Sequence, residues 1–157
     1  MTNIEPNLTR PRRKPGENRA LLLASAQQHF ATYGYFAAST GAIASSAGVP
    51  QPHVYANFAT KFELFEACAR HVIHTICVLP TAMRQLKESD QVHVAQVPDE
   101  QCMFIYQLFA CARVAEFIEL VAWSQKTLYT SMSAADVEAL LVRGYLSLVN
   151  SNTKPLD

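Results

Sequence analysis

The chain has 157 residues, half of them apolar and 17% charged, which is enough for a buried core and excludes a wholly disordered polymer. Net charge is zero but unevenly placed: residues 10–61 hold six basic side chains against Glu17 alone, and residues 62–157 hold seven bases against eleven acids. No run reaches the ~18 apolar residues of a membrane span and "MTNIEPNLTRPRRKPGENR" lacks the apolar segment of a secretion signal, so the expectation is a cytoplasmic protein without a membrane partner.

In chain order, residues 1–17 carry prolines and the cluster "RPRRK" without an apolar period, and read as a flexible basic arm. From Asn18, a cap-type residue, Leu22, Leu23, Ala26, Phe30 and Tyr33 recur at helical steps until Gly34 supplies a stop. Ser39 and Thr40 precede "GAIASSAG", a short helix with Ile43 and Ala47 inward and Gly48 at its end. Thr60 is placed to cap a long helix from Lys61 that should end before Pro80. "PTAMRQLKES" reads as a further helix with proline in its first turn, and "DQVHVAQV" as a loop. Pro98, Asp99 and Glu100 look like a helix start. Apolar text then runs from Met103 to Tyr129, and periodicity leaves open whether it is one helix or two with a break near Arg113. Ser133 with Asp136 resembles a capping box ahead of the stripe Val137, Leu140, Leu141, Gly144, Tyr145 and Leu148. The expected fold class is all-α.

"GVPQPHVYANF", residues 48–58, looks like a loop because of Pro50 and Pro52. Proline is tolerated in the first turn of a helix, where the amides lack intrahelical partners, and Val54, Tyr55 and Phe58 continue at helical spacing. Two short helices joined by a glycine turn are the signature of a helix-turn-helix. In that motif the first residues of the second helix meet base edges in the major groove, here Gln51, Pro52 and His53. Glutamine can pair with adenine, histidine with a purine edge, and the proline ring can pack on a thymine methyl. Tyr55, Asn57 and Lys61 suit phosphates, which position a reader without specifying sequence.

Residues 19–67 resemble the DNA-binding domain of the TetR family of bacterial transcriptional regulators. The matching text, "LLLASAQQHFATYGYFAASTGAIASSAGVPQPHVYANFATKFELFEA", follows that family's order of apolar pair, Ala, Phe, Gly-Tyr, Ser/Thr, Ile-Ala, Ala-Gly-Val, Tyr, Phe and Lys. The resemblance implies a helix-turn-helix domain over residues 18–65 and a helical effector-binding and dimerisation domain over residues 66–157. It implies that Ser39 and Thr40 start the second helix and touch phosphate, with Gly41 following where some members place a base-reading side chain. Lys61 opens the linking helix, and Arg12, Arg13 and Lys14 form an arm that could reach the neighbouring groove. Two positions depart from the pattern: Pro50 replaces the usual Ser or Thr cap, and His29 stands where leucine is common, both pointing to a less stable reading head.

The family resemblance also implies a homodimer through the last two helices and a palindromic double-stranded DNA operator. Repression would be released by a small, largely apolar effector. Pocket candidates are His71, His74, Phe104, Tyr106, Phe109, Phe117 and Trp123. Residues 80–100 are shorter than is common in the family, which implies a small, open or vestigial cavity. The alternative function is a helical ligand-binding or interaction module that keeps the fold with DNA reading weakened or lost. No catalytic arrangement stands out, so no enzyme and no cofactor are expected. Cys68, His71, His74 and Cys77 are spaced by three, but on a helix such steps rotate backwards by about 60° each, so one helix cannot gather all four around a metal. Those cysteines, with Cys102 and Cys111, are expected to be reduced thiols in the core.

Overall fold

Gly16 and Gly34 bracket the first helix. In the computed structural model, which describes residues 16–84 and 94–152, α1 spans Glu17–Ala37. Gly16, at φ 83°, is its N-cap, so the cap expected of Asn18 is not made and Asn18 lies within the first turn. Gly34, at φ 74° and ψ 172°, interrupts the helical path as expected, and a last turn is closed by the Ala38 N–H donating to the Gly34 carbonyl at 3.2 Å. A side chain at such positive φ would be strained, which is why glycine occupies both ends. Leu22, Ala26 and Phe30 face the core, whereas Tyr33, expected on the same stripe, is exposed.

Helix α2, Thr40–Ser46, begins where the Ser39 hydroxyl accepts the Ala42 N–H at 3.0 Å. Its end is a Schellman turn: Gly48, at φ 60°, donates to the Ser45 carbonyl and Val49 donates to the Ala44 carbonyl at 2.9 Å. Val49 is buried beside Ile43 and Ala44, the apolar contact that usually accompanies this motif. Helix α3, Pro52–Asn57, begins immediately afterwards.

Helix α4, Lys61–Arg84, has the cap expected of Thr60, whose hydroxyl accepts the Glu63 N–H at 3.0 Å while Glu63 accepts the Ala59 N–H at 2.7 Å. It does not stop before Pro80. Proline removes one N–H donor but its fixed φ is helical, so an apolar helix near its end tolerates it, and residues 80–84 extend α4 instead of opening a new helix. The rest of "PTAMRQLKES" and the start of "DQVHVAQV" lie outside the described residues; Val94–Gln96 form one 3₁₀ turn.

The long apolar run is two helices. α5, Asp99–Ala110, with acids in its first turn, gives way to a turn and a 3₁₀ segment at Ala115–Phe117, and α6 spans Ile118–Ser131. The break falls at Arg113, between the buried side chains of Cys111 and Phe117. α7, Ala134–Asn152, starts with the Ser133 hydroxyl accepting the Asp136 N–H at 3.2 Å and donating to the Asp136 carboxylate at 2.7 Å.

Packing centres on Phe65 of α4. Its ring meets Phe30 of α1 edge-on at 4.9 Å, stacks on Phe104 of α5 at 5.2 Å and meets Phe117 at 5.5 Å. Such pairs contribute roughly 0.5–1.5 kcal/mol each beyond the area they bury. α5 lies against both α1 and α7, and α4 against α1 and α6. Gly144 permits the α5–α7 approach, since a Cβ there would overlap the Cys102 carbonyl. Among the described residues there is no strand, and no helix is long and apolar enough to cross a membrane.

Candidate nucleic-acid interface

The α2–α3 unit is held from beneath by apolar side chains and from behind by α1. Ile43, Val49, Val54 and Phe58 are buried, and the Ser25 hydroxyl of α1 donates to the Ile43 carbonyl at 2.8 Å. What stays outside is the face with the candidate readers: Gln51, Pro52 and His53 are all exposed at the start of α3. No side chain caps α3; the Pro50 carbonyl accepts the His53 N–H at 2.9 Å and the Gln51 carbonyl accepts the Val54 N–H at 3.0 Å. The Gln51 amide lies against Gly41 of α2, and a Cβ at Gly41 would sit 3.6 Å from its nitrogen.

The hydroxyl candidates converge from two helices. Thr40 Oγ1 and the Tyr55 hydroxyl hydrogen-bond to each other at 3.2 Å, with Tyr55 half-exposed, so whichever of them accepts keeps its own O–H to donate to an anionic oxygen alongside. Ser39 is exposed but its hydroxyl oxygen already accepts the Ala42 N–H. Asn57, expected at phosphate, donates its amide to the His53 carbonyl at 2.7 Å within its own helix. The Lys61 ammonium lies 4.7 Å from the centre of the Tyr35 ring, and partial burial lowers its pKa.

Two residues of α1 join this face that spacing alone does not assign to it. The Asn18 amide nitrogen is 3.3 Å from His53 Nδ1, and the Arg19 guanidinium lies 4.4 Å from the centre of the Phe58 ring. Both contacts span 35 or more positions, so no local pattern foretells them. His29, the departure that suggested a weak head, bonds Ser46 Oγ at 2.8 Å through Nε2, which satisfies its polar group. Arg12, Arg13 and Lys14 lie outside the described residues.

The pocket candidates have different surroundings. Phe104 and Phe117 are fully buried within the Phe65 cluster, and Trp123 lies under the Arg70 guanidinium at 4.5 Å. Tyr106 faces Tyr145 of α7 at 5.7 Å, and Phe109 is half-buried against the core. His71 and His74 are exposed, whereas Cys68 is buried, its thiol donating to the Leu23 carbonyl of α1 and its pKa pushed up by burial. The four residues spaced by three therefore point to different sides of α4.

Residues 22–68 match the model of the bacterial regulatory proteins of the tetR family. Over that segment the chain is similar to the TetR family. Over 76 residues it is 37% identical to the HTH-type transcriptional activator FasR of Mycolicibacterium smegmatis (strain ATCC 700084 / mc(2)155), a match covering 48% of this chain and 35% of that protein. The chain thus spans about a third of the curated relative's length. Its fold is shared by a chain from Rhodococcus sp. assigned to the TetR-family transcriptional regulators, with a TM-score of 0.57, 15% identity and coverage of 87% of this chain and 86% of that one. A TetR-family chain from Mesorhizobium loti MAFF303099 aligns with a TM-score of 0.54 and 18% identity, covering 90% and 72%. At these identities the likeness concerns the TetR-family fold alone: a helix-turn-helix head with a helical C-terminal region after it.

Proposed function

We propose that this chain is a DNA-binding transcriptional regulator of the TetR family in which α3 enters the major groove. The observation that carries the reading is the pairing of exposed Gln51, Pro52 and His53 with a Thr40–Tyr55 hydroxyl pair at the groove's edge, all on one buried, Schellman-locked support. Base edges would be read by the first three residues and phosphate by the hydroxyls, Lys61 and Arg19. Domain roles keep the expected division, residues 18–65 as reader and 66–157 as effector-binding and dimerisation region.

Dimerisation through α6 and α7 is supported by two apolar stripes left open to solvent. α7 exposes Val142, Tyr145, Leu146 and Val149, and α6 exposes Ile118 and Tyr129. The α7 residues recur at three- and four-residue steps, the pattern of a helix seam awaiting a partner, and a two-fold pairing would cover both copies with the same patch. Such a dimer presents two recognition helices to half-sites about one DNA turn apart on a palindrome. The effector class proposed is a small, largely apolar molecule whose preference for one head spacing releases the operator; that preference sets how far it can shift the equilibrium.

The proposed sign of regulation is repression, and the activator name of the M. smegmatis relative makes the opposite sign the outcome a reporter assay must be built to see. Binding itself is tested by selecting operator fragments from genomic DNA and titrating them against salt. A steep negative log–log slope is expected. Gln51→Ala with His53→Ala should flatten sequence preference, while Lys61→Ala should weaken all sequences about equally. A slope near zero with no change in any variant would leave the alternative, a helical ligand-binding or interaction module that no longer reads DNA.

A further inference from the structure

We propose that Asn18 of α1 is a positioning residue that decides which hydrogen-bonding character His53 turns toward DNA, making His53 a donor that reads guanine. This rests on the reading of α3 as the recognition helix.

Proton placement on the imidazole is the deciding step. The Asn18 amide nitrogen lies 3.3 Å from His53 Nδ1, and an amide nitrogen can only donate. A neutral imidazole has one N–H and one lone pair, so a donor at Nδ1 fixes the lone pair there and the proton on Nε2. The rest of residue 53 is equally constrained. Its N–H is held by the Pro50 carbonyl and its carbonyl accepts the Asn57 amide at 2.7 Å. Asn18 in turn stands in the first turn of a helix secured by the Ala20 N–H on the Gly16 carbonyl, next to Arg19 over the Phe58 ring. Backbone and ring are thus fixed from three sides, while Nε2 belongs to an exposed side chain with no hydrogen-bonding partner among the described residues.

An outward N–H selects among base edges. In the major groove guanine offers two neighbouring acceptors, N7 and O6, adenine sets an amine beside its N7, and cytosine offers an amine. Thymine offers the single acceptor O4 beside its methyl group, so a fixed donor favours guanine with its two adjoining acceptors, tolerates thymine and is repelled by the amines of adenine and cytosine. The opposite tautomer would invert that order.

The tautomer is read directly on the full-length protein by long-range proton–nitrogen correlation of the His53 ring above its titration range. Protonated Nε2 with bare Nδ1 is expected; protonated Nδ1 in the neutral ring overturns the proposal. Selection from a randomised operator then compares the parent with Asn18→Ala, His53→Ala and both together. Asn18→Ala should lower the guanine preference at a single base pair by roughly five-fold, about what one net hydrogen bond supplies, and leave the other positions alone. The double variant should match His53→Ala. If His53→Ala leaves preference unchanged, the recognition-helix reading fails. If His53→Ala removes the guanine preference and Asn18→Ala leaves it intact, that reading stands and the role given to Asn18 falls.

Discussion

Ser39 has one hydroxyl and two claims on it. Its oxygen accepts the Ala42 N–H and so satisfies one of the free donors at the start of α2, a contribution of about 1 kcal/mol. The same residue stands at the edge of the proposed DNA face. Ser39→Ala should therefore lower stability by about 1 kcal/mol in chemical denaturation. Ser39→Asp keeps a capping oxygen and adds a negative charge beside the phosphates, so it should unfold like the parent while losing DNA affinity. If the aspartate variant binds operator as tightly as the parent, Ser39 does not face phosphate. Pro50 offers the contrast: with no side-chain cap available, α3 relies on its apolar underside, Val54 and Phe58, to persist at six residues.

Elements are set by signals of different range, and this explains which of them were legible. Helices α1, α2 and α7 are encoded by caps, glycine stops and apolar steps contained in each segment, and Gly48 supplies the left-handed turn that a helix-turn-helix requires. The end of α4 and the break between α5 and α6 were not legible, because the first is a proline that a long apolar helix outlasts and the second has no glycine or proline at all. Its flanking residues Cys111 and Phe117 are both buried, a tertiary setting that local text does not display. The candidate interface shows the same division: the exposure of Gln51, Pro52, His53 and Tyr55 follows from their spacing, whereas Asn18, a cap-type residue, reaches His53 only after the chain has folded. The Asn57 amide on the His53 carbonyl likewise depends on side-chain direction, which residue type does not encode. Gly144 allows a test at this scale. Helix propensity alone would make Gly144→Ala stabilising by up to about 1 kcal/mol. The new Cβ, however, would overlap the Cys102 carbonyl and crowd Tyr106 Cβ at 3.0 Å, and backbone yields less than a side-chain tip. A net loss of roughly 1–3 kcal/mol and a lower Tm by circular dichroism are expected; an unchanged or raised Tm would mean α5 and α7 are not locked together here.

For the whole molecule, the exposed stripe on α7 is the feature with most at stake. Leu146 is 51% exposed and Val142 58%, neighbours on a surface that water should not favour. Leu146→Glu places a charge in the proposed seam while leaving the monomer's core untouched. By sedimentation the parent should be a dimer and the variant a monomer, with operator affinity falling accordingly; identical sedimentation of the two would remove α7 from the interface. The Phe65 cluster works at the same scale but inward. Because one α4 ring touches α1, α5 and the segment entering α6, and Tyr35 meets both Lys61 and Phe117, the proposed reader has no clean seam along which to be cut. A chimera that grafted these first helices onto another regulator's body would have to bring matching partners for Phe65 and Tyr35, or accept a loosened head whose orientation the new body no longer governs.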